Sequence, residues 1–376
     1  MNSLALRAIP RVGAPVVARS KNLEQRLRRF PARVRPRVLA LAARHPRLAD
    51  LAASFPALLF ALAVPNGRFR AEAVIQDVIA GRDLKFLAER AGLAMWMRKL
   101  KPEMLQRPLP ALPIGHEFSR RIVNHIPPQA KFVANWLDAI AFAERWGHED
   151  FALWYASNFP TRRRLGRNLA LLTLWAWFSA RPETWAHAFL EKPWNSHIRY
   201  KAALDAANEW IATIGLYANL GDRPIDDMWH DPGVVDGYEF VPLRSAAEVV
   251  EEAHVMKNCL RTYGYDLAHD HSRFWSIRTG GARVATVQVG WWSDYPLLYI
   301  MQLQAHRNRR APREVWLAAA RWIRQREIVR EGELAWDTVP LDRAIWFALW
   351  KPYWLEKKKF PSWLPLTPSR RTLDEL

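Results

Sequence analysis

Hydrophobic positions recur at helical spacing through most of residues 1–220. Between 198 and 220, Ala203, Ala207, Trp210, Ile214 and Tyr217 follow one another at intervals of three or four, which predicts one long amphipathic helix. Shorter apolar segments with similar spacing alternate with joints that contain Pro or Gly. They predict further helices over 38–43, 57–64, 72–80, 84–91, 93–100, 118–124, 132–146, 151–159, 165–178 and 184–190.

The pattern changes in the segment 221–244, where apolar periodicity gives way to Pro, Gly and five aspartates: Asp222, Asp226, Asp227, Asp231 and Asp236. Clustered carboxylates can bind a divalent cation. The segment lacks the Gly and Glu spacing of an EF-hand loop, however, so we interpret it as an acidic linker between two domains.

Beyond the linker, helical and strand patterns are mixed. Ser245 is a predicted N-cap, and a second helix from about residue 258 places Cys259, Tyr263 and Leu267 on one face. Alternating residues predict strands over 274–278, 284–289 and 298–303, with Gly280 and Gly281 forming a hairpin turn between the first two. A final sheet-packed helix is expected from residue 312 to about 328.

These patterns predict an α+β protein that is mostly α. A helical N-terminal domain precedes a small C-terminal domain of helices around a short antiparallel sheet. The expected order is a basic, loosely structured arm (1–36), a helical domain (37–220), the acidic linker (221–244), the α+β domain (245–330), and a C-terminal helix over 341–350 with a basic tail (331–376).

The charge adds an expected class of partner to this outline. The chain has a net charge of +18, and its first fifty residues hold twelve Lys and Arg against Glu24 and Asp50, or +10. Such an arm attracts polyanions because each neutralised phosphate releases counterions. DNA or RNA is therefore the expected partner, with Arg28, Arg29 and Arg33 as candidate phosphate ligands. An anionic membrane, an acidic protein or a merely solvated tail remain alternatives, and protein partners are unknown.

Composition excludes several other classes of site. The single cysteine rules out an intramolecular disulfide and multi-cysteine metal sites, and it fits the reducing cytoplasm. The chain has no apolar run long enough to span a bilayer, and no phosphate loop, dinucleotide fingerprint or serine elbow. His269, His271 and His306 lack a carboxylate at useful spacing. We therefore expect no metal and no cofactor.

Four separated segments resemble the PcfJ-like protein family, which occurs on conjugative plasmids, phages and bacterial chromosomes. The segments are Asn258-Cys259-Leu260-Arg261-Thr262-Tyr263, Phe274-Trp275-Ser276-Ile277-Arg278, Ala285-Thr286-Val287-Gln288-Val289 and Gln302-Leu303-Gln304-Ala305-His306-Arg307-Asn308-Arg309. The resemblance covers about 250–325, and the helical region over 80–98 is also similar to one that often precedes it. It implies a bacterial protein associated with mobile genetic elements, and no established reaction.

The same segments carry the candidate chemistry. Cys259 near a helix start is a candidate nucleophile, with His254 as its base and the Tyr263 hydroxyl one turn along. Asn258 and Arg278 complete the candidate catalytic set. Guanidinium and amide groups suit phosphates and bases, and the candidates for nucleic-acid binding are Gln304, Arg307, Asn308, Arg309, Arg310 and Arg313.

Each of these residues also has a purely structural interpretation. Cys259 can be a small buried hydrophobe, Tyr263 a half-buried ring, and the arginines over 307–310 a solvated turn. The first functional hypothesis is a nucleic-acid-binding protein. The second is an enzyme that acts on a nucleotide or nucleic acid within 254–308. The third is a helical scaffold for protein interactions.

Overall fold

The computed structural model describes residues 21–160, 166–221, 223–291, 297–326, 328 and 343–360. The chain divides into two compact units, Met1–Leu174 and Trp175–Leu376. The division falls inside one helix, Arg167–Ser179. The predicted mostly helical α+β class is confirmed.

The described residues of the first unit form helices, 3₁₀ turns and irregular connections, without a strand. Trp136 is fully buried in it, and its indole Nε1 donates to the carbonyl of Ala156 at 3.2 Å. Its helices are α1 (Lys21–Arg28), α2 (Arg35–Ala43), α3 (Pro46–Ser54), α4 (Pro56–Ala63), α5 (Ala71–Ile79), α6 (Leu84–Arg90), α7 (His116–Ile122), α8 (Ala130–Trp146), α9 (Glu149–Ser157) and the start of α10 (Arg167–Ser179), with 3₁₀ turns at Met95–Lys99, Pro102–Met104 and Val123–His125.

Residues 21–36 differ from the predicted loose arm. They form α1 and the beginning of α2, and they bury Leu27, Phe30 and Val34. The prolines at 31 and 36 sit in the joint and in the first turn of α2, where a missing backbone N–H costs little. Burial of apolar side chains therefore orders this part of the basic segment, while residues 1–20 lie outside the described ranges.

The second unit contains a six-stranded antiparallel sheet whose strands lie side by side in chain order. Two of these strands, β1 (Gly233–Val235) and β2 (Tyr238–Pro242), come from the segment interpreted as a linker. Asp236 and Gly237 lie between these two strands, and both have positive φ. The acidic segment 221–244 therefore contains a β-hairpin turn. The strands are β1 (Gly233–Val235), β2 (Tyr238–Pro242), β3 (Ser272–Thr279), β4 (Ala282–Trp291), β5 (Leu298–Ala305) and β6 (Arg309–Arg310).

The two faces of the sheet have different coverings. On one face lies α15 (Arg313–Ile323), whose Trp322 ring stacks on Phe240 at 4.5 Å and meets Trp275 edge-on at 5.0 Å. The other face contacts α13 (Ala246–Met256) and α14 (Gly264–Ala268). The apolar side chains of both faces join one core, which includes residues of β1, β2, β3, β4 and β5.

The region after α13 is not the continuous helix that the sequence predicted. It forms a 3₁₀ turn, Leu260–Tyr263, and then the short α14. Both pack against α12 (Tyr200–Leu220), whose Leu216 and Leu220 belong to the core of the sheet domain. The longest predicted helix is thus confirmed, but it is part of the sheet-containing unit.

The remaining helices also belong to the second unit. They are α11 (Trp185–Ala188) and α16 (Arg343–Lys357). The latter extends past the predicted end at 350 because Tyr353 is buried against Trp177 and Phe178. Glu356 also accepts a hydrogen bond from the Trp177 indole at 3.1 Å.

Gly264 allows α14 to approach α12 closely. A Cβ at this position would lie 2.7 Å from the Cα of Leu216 and 3.0 Å from the carbonyl oxygen of Gly215. We predict that Gly264→Ala lowers the free energy of unfolding by about 1–3 kcal/mol, because backbone rather than a flexible side chain must move. Chemical denaturation of the full chain measures this.

Gly215→Ala is the matched control on the opposite side of this contact. No atom lies within 4 Å of its would-be Cβ. In a helix interior, alanine is favoured over glycine by roughly 1 kcal/mol, so this variant should be neutral or more stable. Equal destabilisation of both variants would contradict the proposed close approach.

Candidate functional site

A cleft opens on the α13-covered face of the sheet, between the 3₁₀ turn Leu260–Tyr263 and the strands β3, β4 and β5. It contains about 290 Å³ of space that is open to solvent at its mouth. Amides and aromatic rings predominate among its walls. The lining residues are Asn258, Cys259, Leu260, Tyr263, Phe274, Thr286, Gln288, Gln302, Gln304 and Asn308.

Strand register brings the polar side chains of this wall together. Thr286 on β4 lies opposite Gln304 on β5, and Gln288 lies opposite Gln302. Directly paired residues of an antiparallel sheet point to the same face and touch. Alternation along β4 therefore places Thr286 and Gln288 on the cleft face. Their neighbours Ala285, Val287 and Val289 enter the apolar core.

The glutamines of β5 form a directed line of hydrogen bonds. Gln304 Nε2 donates to Gln302 Oε1 at 3.1 Å, and Gln302 Nε2 donates to the Tyr263 hydroxyl at 3.3 Å. Because that hydroxyl accepts here, its proton remains available for a further bond. Partial burial raises the pKa of Tyr263, so the phenol stays protonated at neutral pH and acts as a donor.

Beneath the cleft lies a buried carboxylate, Glu252 of α13, which has no solvent exposure. Its Oε1 accepts from the Thr286 hydroxyl at 2.7 Å, and its Oε2 accepts from Arg283 Nε at 2.9 Å. Arg283 also donates to Glu251 at 2.6 Å. The desolvation of this charge is offset because both carboxylate oxygens are bonded and a cation is adjacent.

Asn258 is fixed by the same network. Its Nδ2 donates to the Thr286 hydroxyl at 3.2 Å, and its Oδ1 accepts from the Leu260 amide at 3.2 Å. The preceding Lys257 has a φ of 50° and ends α13 in the left-handed conformation. The chain therefore turns sharply out of α13, and the asparagine side chain links this turn to the sheet.

A second tight turn forms the opposite rim. Arg307 and Asn308 are consecutive residues with φ of 61° and 55°. A left-handed conformation costs an L-residue roughly 1–2 kcal/mol, and less for asparagine. The turn brings Asn308 into the cleft wall and leaves the Arg307 side chain exposed.

Positive charge surrounds this rim. Lys257, Arg307, Arg309 and Arg310 are all exposed, and no carboxylate within the described ranges forms an ion pair with any of them. Desolvation, followed by the charges of Arg307, Lys257 and Arg309, lowers the pKa of His306. The helix α13, which Lys257 caps, also contacts the turn His306–Asn308, and β6 follows that turn directly. Lys257, Arg307, Arg309 and Arg310 are here called the basic rim.

The basic rim and the cleft belong to the same surface. Arg310 on β6 lies opposite Gln304 on β5 and so points to the cleft face, whereas Arg309 lies opposite Ala305. Of the residues predicted from the sequence, the structure thus brings together Asn258, Cys259, Tyr263, Gln304 and Asn308 in the cleft, with Arg307, Arg309 and Arg310 beside it.

Other predicted site residues lie elsewhere. His254 is exposed, and its Nδ1 lies 3.1 Å from Glu191 Oε2, so the structure does not present it as a base for Cys259. Arg278 directs its Nε to the Ser276 hydroxyl at 3.2 Å and does not line the cleft. Arg313 is exposed at the first position of α15.

The arginines predicted in the N-terminal arm belong to the first unit. Arg29 forms an ion pair with Glu103 at 2.6 Å, and Arg28 lies 3.6 Å from Glu24. Arg33 is exposed, without an ion pair to any residue that the structure places. Two of these three candidate phosphate ligands are therefore already paired with carboxylates.

Sequence reasoning missed Glu252, Thr286 and Gln288. A signal for Glu252 existed, because it falls on the buried stripe of α13 with Val249, Ala253 and Met256. Thr286 and Gln288 alternate with apolar neighbours in the same phase as Gln302 and Gln304. That alternation could have indicated one shared polar face.

Metal-binding clusters and membrane-spanning helices are both absent from the described residues. No group of three or more His, Cys, Asp and Glu side chains there is arranged to hold a metal ion. Among the helices of these ranges, none combines the length and apolar character required to cross a membrane.

Comparison of the chain with protein-family models, with curated proteins and with solved structures finds no match. The resemblance to the PcfJ-like family stays a hypothesis, and the cleft with its surroundings is the basis for any functional proposal.

We predict that Glu252→Ala lowers the free energy of unfolding by about 3 kcal/mol, because it leaves Thr286 and Arg283 without a buried partner. Glu251→Ala is the matched control, since Glu251 bonds the same arginine but its side chain is 64% exposed. The control should lose under about 1 kcal/mol. Denaturant unfolding compares them, and equal effects would show that the buried carboxylate has no special role.

Proposed function

We propose that this protein binds nucleic acid through the sheet domain of its second unit, with the basic rim on the phosphates and the cleft beside the bases. The observation that carries this proposal is the clustering of Lys257, Arg307, Arg309 and Arg310, without carboxylate partners in the described part of the chain, at the mouth of an amide-lined cleft. Arginines that already have partners, such as Arg261 with Glu191, stabilise the fold instead.

Charge favours phosphate as the first contact. Guanidinium groups bind phosphate oxygens in bidentate fashion, and each neutralised phosphate releases counterions from the polymer. The net charge of +18 provides a long-range attraction in the same direction. The exposed position of the rim leaves these side chains accessible to a polymer that runs along the sheet edge.

The cleft supplies groups that bases recognise. Asparagine and glutamine amides present a donor and an acceptor side by side, as base edges do. Aromatic rings provide surfaces for stacking, and Tyr263 contributes both a ring and a hydroxyl. DNA and RNA share these features, so the proposal covers both polymers.

We propose in addition that the protein is a cytoplasmic member of the PcfJ-like family in bacteria, with an association with mobile genetic elements. Support comes from the placement of the four resembling segments, since each contributes at least one residue to the wall of the one cleft. Four resembling segments that meet in one cleft support a shared functional site more strongly than segments on separate surfaces would.

We predict that the triple variant Arg307→Ala, Arg309→Ala, Arg310→Ala weakens nucleic-acid binding by the full chain, irrespective of base sequence. The slope of log affinity against log salt should fall by about three, because each arginine that no longer binds a phosphate lowers it by close to one. Fluorescence anisotropy across a salt series, with labelled single- and double-stranded DNA and RNA, measures both quantities.

Arg321→Ala provides the matched control. Arg321 is an exposed arginine of α15, but it forms an ion pair with Asp236. Its replacement should leave the affinity and the salt slope nearly unchanged. A triple variant that binds as tightly as the parent, with the same salt slope, would contradict the proposed role of the basic rim.

A further inference from the structure

We propose that the cleft accommodates one unpaired nucleobase, with Gln288 Oε1 as the acceptor for an N–H group on the edge of that base. The inference rests on the proposed nucleic-acid binding and deepens it, because it specifies an unstacked, single-stranded base as the ligand. The shared chemistry is that of the base itself, whether the strand is DNA or RNA.

Gln288 carries the argument. The residue is only 5% exposed, and its Oε1 has no hydrogen-bond donor among the described residues. Buried polar atoms in folded proteins nearly always have a partner, and an unpaired one costs about 1–3 kcal/mol. The Gln288 side chain lines the cleft, and this oxygen lies just beneath the cleft surface. A ligand that brings an N–H group into the cleft would satisfy it.

The surrounding groups favour a flat, aromatic ligand. The Tyr263 and Phe274 rings lie 5.0 Å apart and inclined at 60°, and both line the cleft. Phe274 is almost fully buried, so the half-buried Tyr263 ring presents the accessible aromatic surface. Bases stack on such rings irrespective of their identity.

The cleft also offers a donor to complement the acceptor. The Tyr263 hydroxyl accepts from Gln302, which leaves its own proton to donate. Every nucleobase carries both N–H donors and acceptor atoms along its pairing edge. A donor and an acceptor in one cleft therefore match this edge, which is exposed only when the base is unpaired.

Size limits the ligand to one base. The cleft's roughly 290 Å³ includes open solvent at its mouth, and its enclosed part is only about 30 Å³. A single base therefore enters by its edge and leaves its ring at the open mouth, whereas a base-paired duplex has no free edge to insert. The adjacent Arg307 and Arg310 then lie where the flanking phosphates of the same strand would pass.

The test compares the full chain bound to labelled oligo(dA), to an abasic strand of equal length and to a duplex, and repeats the series with oligo(rA). The abasic strand keeps the phosphates and removes only the bases. We expect binding to oligo(dA), oligo(rA) or both to be roughly ten- to a hundredfold tighter than to the abasic strand. The comparison of the two shows which sugar the site prefers.

Two variants assign this base-dependent gain to the cleft. Gln288→Leu preserves the side-chain size and removes the unpaired oxygen, so it should fold with a melting temperature at least equal to that of the parent. It should abolish most of the preference for oligo(dA) or oligo(rA) over the abasic strand, while leaving abasic binding intact. Gln302→Ala, at an exposed position, should have a similar but smaller effect and serves if Gln288→Leu fails to fold. Gln325→Ala, an exposed glutamine outside the cleft, should have none.

The outcomes separate the two proposals. Equal affinity for the base-containing and abasic strands would overturn the nucleobase site but leave phosphate binding by the basic rim in place. A base preference that survives both Gln288→Leu and Gln302→Ala would overturn the assignment to this cleft. Absence of binding to any strand would overturn the nucleic-acid function, and the nucleobase site with it.

Discussion

The Glu252 carboxylate is buried between α13 and the sheet, and the candidate site depends on the bonds that it accepts. Thr286 is oriented by this carboxylate and in turn accepts from Asn258, so one acidic group indirectly positions the turn that forms a wall of the cleft. Arg283 provides the compensating charge. Replacing a whole buried ion pair by apolar groups is often neutral, but removing one partner is strongly destabilising because it leaves a buried polar group unpaired. The helix and β4 are thus joined by bonds that all depend on Glu252.

The polar face of the sheet contrasts with the apolar face under α15. One face is filled by large rings such as Trp275 and Trp322, which leave no room for a ligand. The other has amides with only partial covering, because α13 ends at Met256 and the chain then turns away at Lys257, beside the open cleft. The cleft is thus a consequence of helix length: where the covering helix stops, the polar side chains of β4 and β5 become accessible.

Much of this architecture could be predicted from local patterns. The Ser245 N-cap, the glycine hairpin at 280–281 and the long helix α12 depend on short-range rules, and all are confirmed. The strands β1 and β2 were missed because they are short and lie among Asp, Pro and Gly, so that their pairing depends on β3 rather than on their own propensity. Glu252 was missed because a charged residue in a helix usually faces solvent. Its burial requires Arg283 and Thr286, which lie 31 and 34 residues further along the chain. The sequence predicted Asn258, Tyr263, Gln304 and Asn308 as site residues, but it did not predict that they line one cleft. That arrangement depends on the register between strands β4 and β5, which local patterns do not determine.

The outermost strand, β6, has a consequence for how the protein behaves at high concentration. It contains only Arg309 and Arg310, both exposed, at one margin of the sheet. Open sheet margins present unpaired backbone groups to which strands of other chains can add, and a short margin of like charges opposes that addition. The two arginines therefore protect the sheet from self-association through electrostatic repulsion. Without these charges, the open margin would lack a barrier against the addition of a strand from another molecule.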